Sequence, residues 1–320
     1  MPSRRQALQR ITLPCVLSAL PIHARAAERM RIVIGANPGG GYDQVGRALG
    51  AALQEADVAT SVVYENKGGA GGMIALAQFV KGARGDAQSL IVSGAVLVGA
   101  IVRYKPPITL ADATPVARLM SEYNVLVVPA ASALKSMSEV LERMRRDPAS
   151  IKWGGGSKGS VDHLSIAMIA RAGGIDASRL NYVPFKGGGE AAAAVLGGHV
   201  TVATSGWAEL QEYIGAGQLR ALAITAPERI KGIAVPTLKE QGIAVEIGNW
   251  RGVHAPPGLS ATQRQALIDA VVKATATRSW KEALERNGWT PLLLTGADFE
   301  RFVETEHARL RALMQELGMS

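Results

Sequence analysis

The chain has 320 residues, 48% hydrophobic and 19% charged, with a formal net charge of +8. That apolar fraction with interspersed charge excludes a disordered chain, and the length suits two domains of ordinary size. Aromatics at 5% offer no stacking platform for nucleic acid.

Residues 1–26 read as an export signal. Arg4, Arg5 and Arg10 make a basic start, Ile11 to Leu20 a short apolar stretch, and Ala24-Arg25-Ala26 a small-x-small cleavage site. The stretch is too short to span a bilayer and contains Pro14, and no later run reaches the roughly 18 apolar residues of a spanning helix. Ser3-Arg4-Arg5 begins like a twin-arginine signal, but Ala7 replaces the usual bulky apolar residue, so Sec and twin-arginine export both stay open. The expected location is the periplasm, after cleavage near Ala26. The single cysteine, Cys15, lies in the signal, and the mature chain is left without a disulfide, a thiol nucleophile or a Cys-based metal site. Removing Arg4, Arg5, Arg10 and Arg25 from the net +8 leaves +4. That excess helps steer an anion but is too small and dispersed for nucleic acid.

Along the mature chain, Met30 to Ala36 predicts a strand, broken by Asn37-Pro38-Gly39-Gly40-Gly41. A helix follows with Val45, Leu49 and Leu53 on one face. Ser61 to Tyr64 predicts a strand, Asn66 to Gly72 a glycine loop, Met73 to Val80 a helix, and Leu90 to Ser93 another strand. Strands alternating with helices imply parallel strands and an α/β fold. Tyr123 to Pro129 is strongly apolar, and the pattern then restarts. Ser136 or Ser138 caps a helix through Met144; Ile151 to Trp153 is a strand before Gly154 to Ser160; a helix runs from about Asp162 to Ala172. Leu180 to Pro184 is a strand before Phe185 to Glu190 and an alanine-rich helix, and Val200 to Thr204 and Leu219 to Ile224 are strands. This second α/β unit reads as an insertion into the first, dividing the chain at 27–123, 124–249 and 250–320. Trp250 to Ala255 crosses back. Two closing helices are expected, one capped by Ser260 with Leu267, Ile268, Val271 and Val272 on a face. The other carries Phe299, Phe302, Val303, Leu310, Leu313 and Leu317, and Gly318 stops it.

Four glycine loops share one design: strand, small residues, helix start. They are Asn37 to Asp43, Asn66 to Gly72, Gly154 to Ser160 and Phe185 to Glu190. A helix start offers unpaired N–H groups and partial positive charge, and glycine lets an anion approach them. Any single loop is equally consistent with a tight connection. Two loops come from each unit, so they can face each other across a cleft at the carboxyl ends of the strands. No loop matches a phosphate-binding or dinucleotide fingerprint, and no cofactor is implied.

Gly155-Gly156-Ser157-Lys158-Gly159 fits G-x-S-x-G, which makes Ser157 a candidate nucleophile, with His199, His254 or His307 as base and Asp176 or Glu209 as orienter. In so glycine-rich a chain the motif arises easily by chance; the alternative is that Ser157 and Ser160 donate hydroxyls to a bound carboxylate. No paired-histidine metal motif occurs, so no metal is expected. Asp162 suits a helix start, and His163 beside it is a candidate anion contact. Asp43 is expected to support its own loop, and Lys186 either pairs with a carboxylate or is solvated.

The sequence resembles the extracytoplasmic receptors of the tripartite tricarboxylate transporter family, also called Bug receptors, over nearly the whole mature chain. The resemblance rests on Ala36 to Gly41 with Asp43, Glu65-Asn66 with Gly69 to Gly72, and Tyr182 to Glu190. It continues through Leu196 to Val200, Ala216 to Ala223, Trp250 to Val253 and Ala255 to Gly258. It implies a type II periplasmic-binding-protein fold, two α/β domains closing on a central cleft, with no catalysis. It implies a small carboxylate ligand, citrate-like di- and tricarboxylates leading and aromatic or other carboxylic acids as the alternative. Membrane transporter subunits are the implied partners, with a sensory role as the competing use, and monomers are the family's habit. The implied ligand-binding positions are Asn37, Pro38, Gly39, Gly40, Gly41, Asp43, Gly69, Ala70, Gly71, Ser157, Gly159, Ser160, His163, Lys186, Gly187, Gly188, Gly189 and Ser205. Ser205-Gly206 stands where many members carry an acid or amide; the loss of that acid would suit a ligand without a free amine.

Overall fold

The computed structural model describes residues 29–319. The expected signal peptide, with its cleavage site and Cys15, lies outside them. The first lobe begins with β1 (Met30–Ile34), α1 (Gly41–Glu55), β2 (Val62–Asn66), α2 (Met73–Gly82), β3 (Ser89–Gly94) and α3 (Ala95–Tyr104). β1 lies between β2 and β3 and is parallel to both. Ile32 and Ile34 are fully buried, as are Val45, Leu49 and Leu53 on α1, so the spacing of four closes one helix face onto the sheet.

β4 (Thr114–Pro129) is a 16-residue strand that belongs to both lobes. The Tyr123 to Pro129 run expected from sequence is only its second half. Up to Tyr123 it pairs with β9 (Gly248–Ala255); from Asn124 on it pairs with β7 (Val202–Gly206) and β8 (Leu219–Ile224). Between these come α4 (Met137–Arg146), β5 (Lys152–Gly155), α5 (Val161–Ala172), β6 (Asn181–Pro184), α6 (Gly188–Leu196) and, after β7, α7 (Trp207–Gly215). β5 is parallel to β6 and β7. Trp153 on β5 is fully buried against Ile166 and Ile169 of α5 and Met144 of α4, a second core separate from that of the first lobe.

The chain returns through β9, which sits antiparallel between β3 and β4. It ends with α8 (Ala261–Thr275), α9 (Arg278–Asn287), β10 (Thr290–Thr295) and α10 (Gly296–Glu316). The two closing helices expected from sequence are therefore three, with a strand antiparallel to β4 between the last two. The parallel expectation holds within each βα unit but not for β4, β8, β9 and β10, the strands that connect or close the lobes. Leu267, Ile268 and Val271 are buried on α8, whereas Val272 is 40% exposed. No described helix is long and apolar enough to cross a membrane.

Candidate functional site

All four glycine loops follow strand carboxyl ends, and three lead directly into helices: Gly40 precedes α1, Ser160 precedes α5 and Gly187 precedes α6. The fourth leads through Ala70–Gly72 into α2, with Gly69, Gly71 and Gly72 at φ values of +128°, +64° and +94° that L side chains rarely adopt. Together they enclose a cavity of about 100 Å³ between the lobes. Of the expected positions, Gly40, Gly41, Gly69, Ala70, Gly71, Ser157, Lys186, Gly187, Gly188 and Ser205 line it.

The remaining expected positions shape the loops from behind. The Asp43 carboxylate accepts hydrogen bonds from the Gly39 N–H and Arg47 Nε at 2.9 Å and from Asn66 Nδ2 at 2.9 Å. Burial opposes its charge, but these donors outweigh burial and hold the carboxyl below its ordinary range. Asn37 donates to Glu190 across the cleft mouth at 3.0 Å. Ser160 caps α5 by accepting the His163 N–H. His163 is turned to its own loop, its Nδ1 accepting the Gly159 N–H at 3.2 Å and its ring 4.3 Å from that of Tyr182. Burial, then nearby Arg103 and Lys158, push His163 down to about 4, so its imidazole is neutral. Pro38 and Gly189 do not line the cavity.

The cavity floor holds residues the sequence reading did not place there: Tyr42, Asp162, Glu209, Asn249 and Arg251. Arg251 on β9 is 4% exposed and forms an ion pair with Glu122 of β4, its Nε donating to Oε1 at 3.0 Å. Its guanidinium also lies 5.1 Å from the Tyr42 ring centroid. Asp162 accepts from the Gly156 N–H at 2.5 Å and from Asn124 Nδ2. Burial, partly offset by the Gly156 N–H and reinforced by the charge of Glu209, raises Asp162 to about 7.

Glu209 on α7 is the central acceptor. Its Oε1 takes the N–H of Gly41 at 2.6 Å and of Gly188 at 3.3 Å, and its Oε2 takes the Ser205 hydroxyl at 2.5 Å. Gly41 starts α1 in the first lobe and Gly188 starts α6 in the second, so one carboxylate holds two helix N-termini from opposite sides. Ser205-Gly206 itself carries no acid, as the sequence shows, but a carboxylate reaches the same place from one helical turn later. The only hint in the sequence was Glu209 itself, four residues past Ser205 on the opening turn of a helix.

Ser157 is not set up as a nucleophile. Its buried Oγ has no hydrogen-bond partner among the described residues. His163 Nδ1 is occupied by Gly159, His254 pairs with Ser93 Oγ at 2.8 Å, and Glu209 orients no histidine. His254 and His307 instead line a groove of about 850 Å³ beside α3 and α10, which none of the glycine loops enters.

The model of the tripartite tricarboxylate transporter family receptor matches residues 45–319. A UPF0065 protein in the gbd 5' region of Cupriavidus necator is 30% identical, over 95% of this chain and 93% of its own. Among solved structures, the periplasmic binding protein BugD superposes with TM-score 0.83 at 24% identity, over 92% of this chain and 98% of that one. An R. palustris protein solved with adipate also gives 0.83, at 25% identity over 91% and 97%. MatC from Rhodopseudomonas palustris with bound malate gives 0.77, at 25% over 92% and 99%. The two lobes around one cleft are a periplasmic-binding-protein fold, and with the family model matched across most of its length the chain belongs to the tripartite tricarboxylate transporter receptors, which bind ligands rather than catalyse.

Proposed function

We propose that this receptor captures a small di- or tricarboxylate outside the cytoplasm and presents it, as a monomer in the closed form, to membrane transporter subunits. The observation that carries the ligand class is the pair of amides, Gly41 and Gly188, converging with the Ser205 hydroxyl on a single carboxylate. Donors so arranged are charge-assisted partners for any carboxylate, stronger where closure excludes water. Val96 and Phe185 add apolar wall suited to a methylene spacer. The neighbours solved with adipate and malate support this class, and citrate is its largest favoured member. We place the lobe boundaries at 123/124, within β4, and at 249/250, within β9.

Isothermal calorimetry of the mature protein against malate, adipate, citrate and benzoate tests the reading. Binding of one or more of the aliphatic acids, with a rise in melting temperature that grows with ligand concentration, is the expected result. Binding of benzoate alone would replace it with an aromatic-acid receptor, and binding of none would refute the carboxylate assignment.

A further inference from the structure

Glu209 holds the donors that a ligand carboxylate needs. Gly41, Gly188 and Ser205 have one carboxylate between them, and it belongs to the protein. A second carboxylate beside it is disfavoured, because two like charges sharing one partly buried site repel. Asp162 and Glu122 are already close enough to feel the charge of Glu209.

The rest of the cavity is not satisfied by this arrangement. Asn249 is 2% exposed and lines the cavity, yet its Oδ1 has no hydrogen-bond partner among the described residues. The same is true of the buried Oγ of Ser157 on the facing loop. Glu209 therefore satisfies the helix N-termini and leaves other buried polar atoms open, which is costly. A ligand bearing a carboxylate and further polar groups satisfies both sets.

We propose that Glu209 is a resident ligand mimic, a carboxylate that latches the two lobes together and that the ligand carboxylate must displace from Gly41, Gly188 and Ser205. Its occupancy reduces apparent affinity by the fraction of molecules in which the donors are free. Because it is tethered, it competes at high effective concentration. Only ligands that also engage the cavity floor overcome it, so Glu209 sets a threshold for selection. The inference rests on the carboxylate reading above, and one of its two readouts needs no ligand.

The test compares wild type with Glu209→Ala and Glu209→Gln. Glu212→Ala is the control, since it removes the same charge from an exposed position on the same helix. In ligand-free protein, hydrogen exchange at the Gly41 and Gly188 amides should speed up about tenfold or more in both Glu209 variants and not in the control. Malate should bind Glu209→Ala about tenfold more tightly than wild type. Unchanged exchange at both amides would overturn the latch, whatever binds. Faster exchange with weaker malate binding would overturn the competition and make Glu209 a ligand contact. If malate, adipate and citrate bind no variant, the carboxylate reading fails, and the exchange result still decides whether Glu209 holds the lobes.

Discussion

At Gly188 the site leaves no room for a side chain. A Cβ there would lie 2.5 Å from Ser205 Oγ and 2.7 Å from the Glu209 carboxyl carbon, whereas one at the adjacent Gly189 would meet nothing within 4 Å. Gly188→Ala should lower malate affinity about tenfold or more, the size of one lost charge-assisted contact, while Gly189→Ala binds as wild type. Calorimetry on the pair separates crowding of the donor cluster from any general effect on α6. Asp162 supplies a pH signature. Burial raises it from 3.8 to about 7 in the folded protein. Between those values the folded state keeps a proton that the unfolded chain has released. The stability from this group is therefore complete below the unfolded value and is lost as pH rises toward the folded one. Asp162→Asn has no such proton. Wild type should lose stability relative to it with rising pH, by at most about 1.4 kcal/mol per unit. Urea midpoints at about pH 5 and about pH 7.5 check this, and parallel trends would mean that Asp162 is charged throughout.

Helix starts carry much of this protein's local logic. Three outside the cleft are capped by side chains: Ser136 on α4, Thr277 on α9, and Ser260 on α8, where Gln263 completes a capping box. α1 and α6, facing the cleft, begin with Gly40 and Gly187 and have no side-chain cap, which leaves their N–H groups for Glu209 or a ligand. α5 differs from α1 and α6: Ser160 caps it, and Asp162 in its first turn accepts the Gly156 N–H. Ser260→Ala should cost about 1 kcal/mol in urea denaturation with malate binding unchanged. An altered affinity would show that α8 is coupled to the cleft. The starts at Ser136, Ser260 and the glycine loops were readable from residue types, whereas the start of α9 at Thr277 was not. Nor was α3, because Ala95 to Val102 is apolar all round and buried on nearly every side, so it has no 3.6-residue stripe to find.

For the whole molecule, the lobes approach each other backbone to backbone at α3. A Cβ on Gly99 of α3 would strike the carbonyl oxygen of Gly159 in the facing loop, and one on Gly71 would come within 3.1 Å of Ser157 Oγ. Gly99→Val should therefore prop the lobes apart. Small-angle scattering should give a larger radius of gyration than wild type in saturating malate, with weaker malate binding. A variant that still reaches the wild-type radius would show that the approach at Gly99 is not needed for closure. The exposed Arg171–Glu316 pair at 3.2 Å also joins the lobes, but such a pair contributes at most about 1 kcal/mol.

The sequence by itself determined the α/β class, the strand–loop–helix units and the glycine loops. All of these follow from neighbours a few residues apart, through periodicity, caps and glycine conformation. Val45, Leu49 and Leu53 show it for a helix face, and Asp43 for the support of its own loop. The tertiary structure alone decided the charged floor. Glu122 meets Arg251 across 129 residues and Gly41 meets Glu209 across 168. No local pattern marks such pairs, since a glutamate at a helix start looks solvated until two lobes close over it. The approach of α1 and α6 from the two lobes makes that partly buried glutamate the acceptor on which both helix N-termini converge.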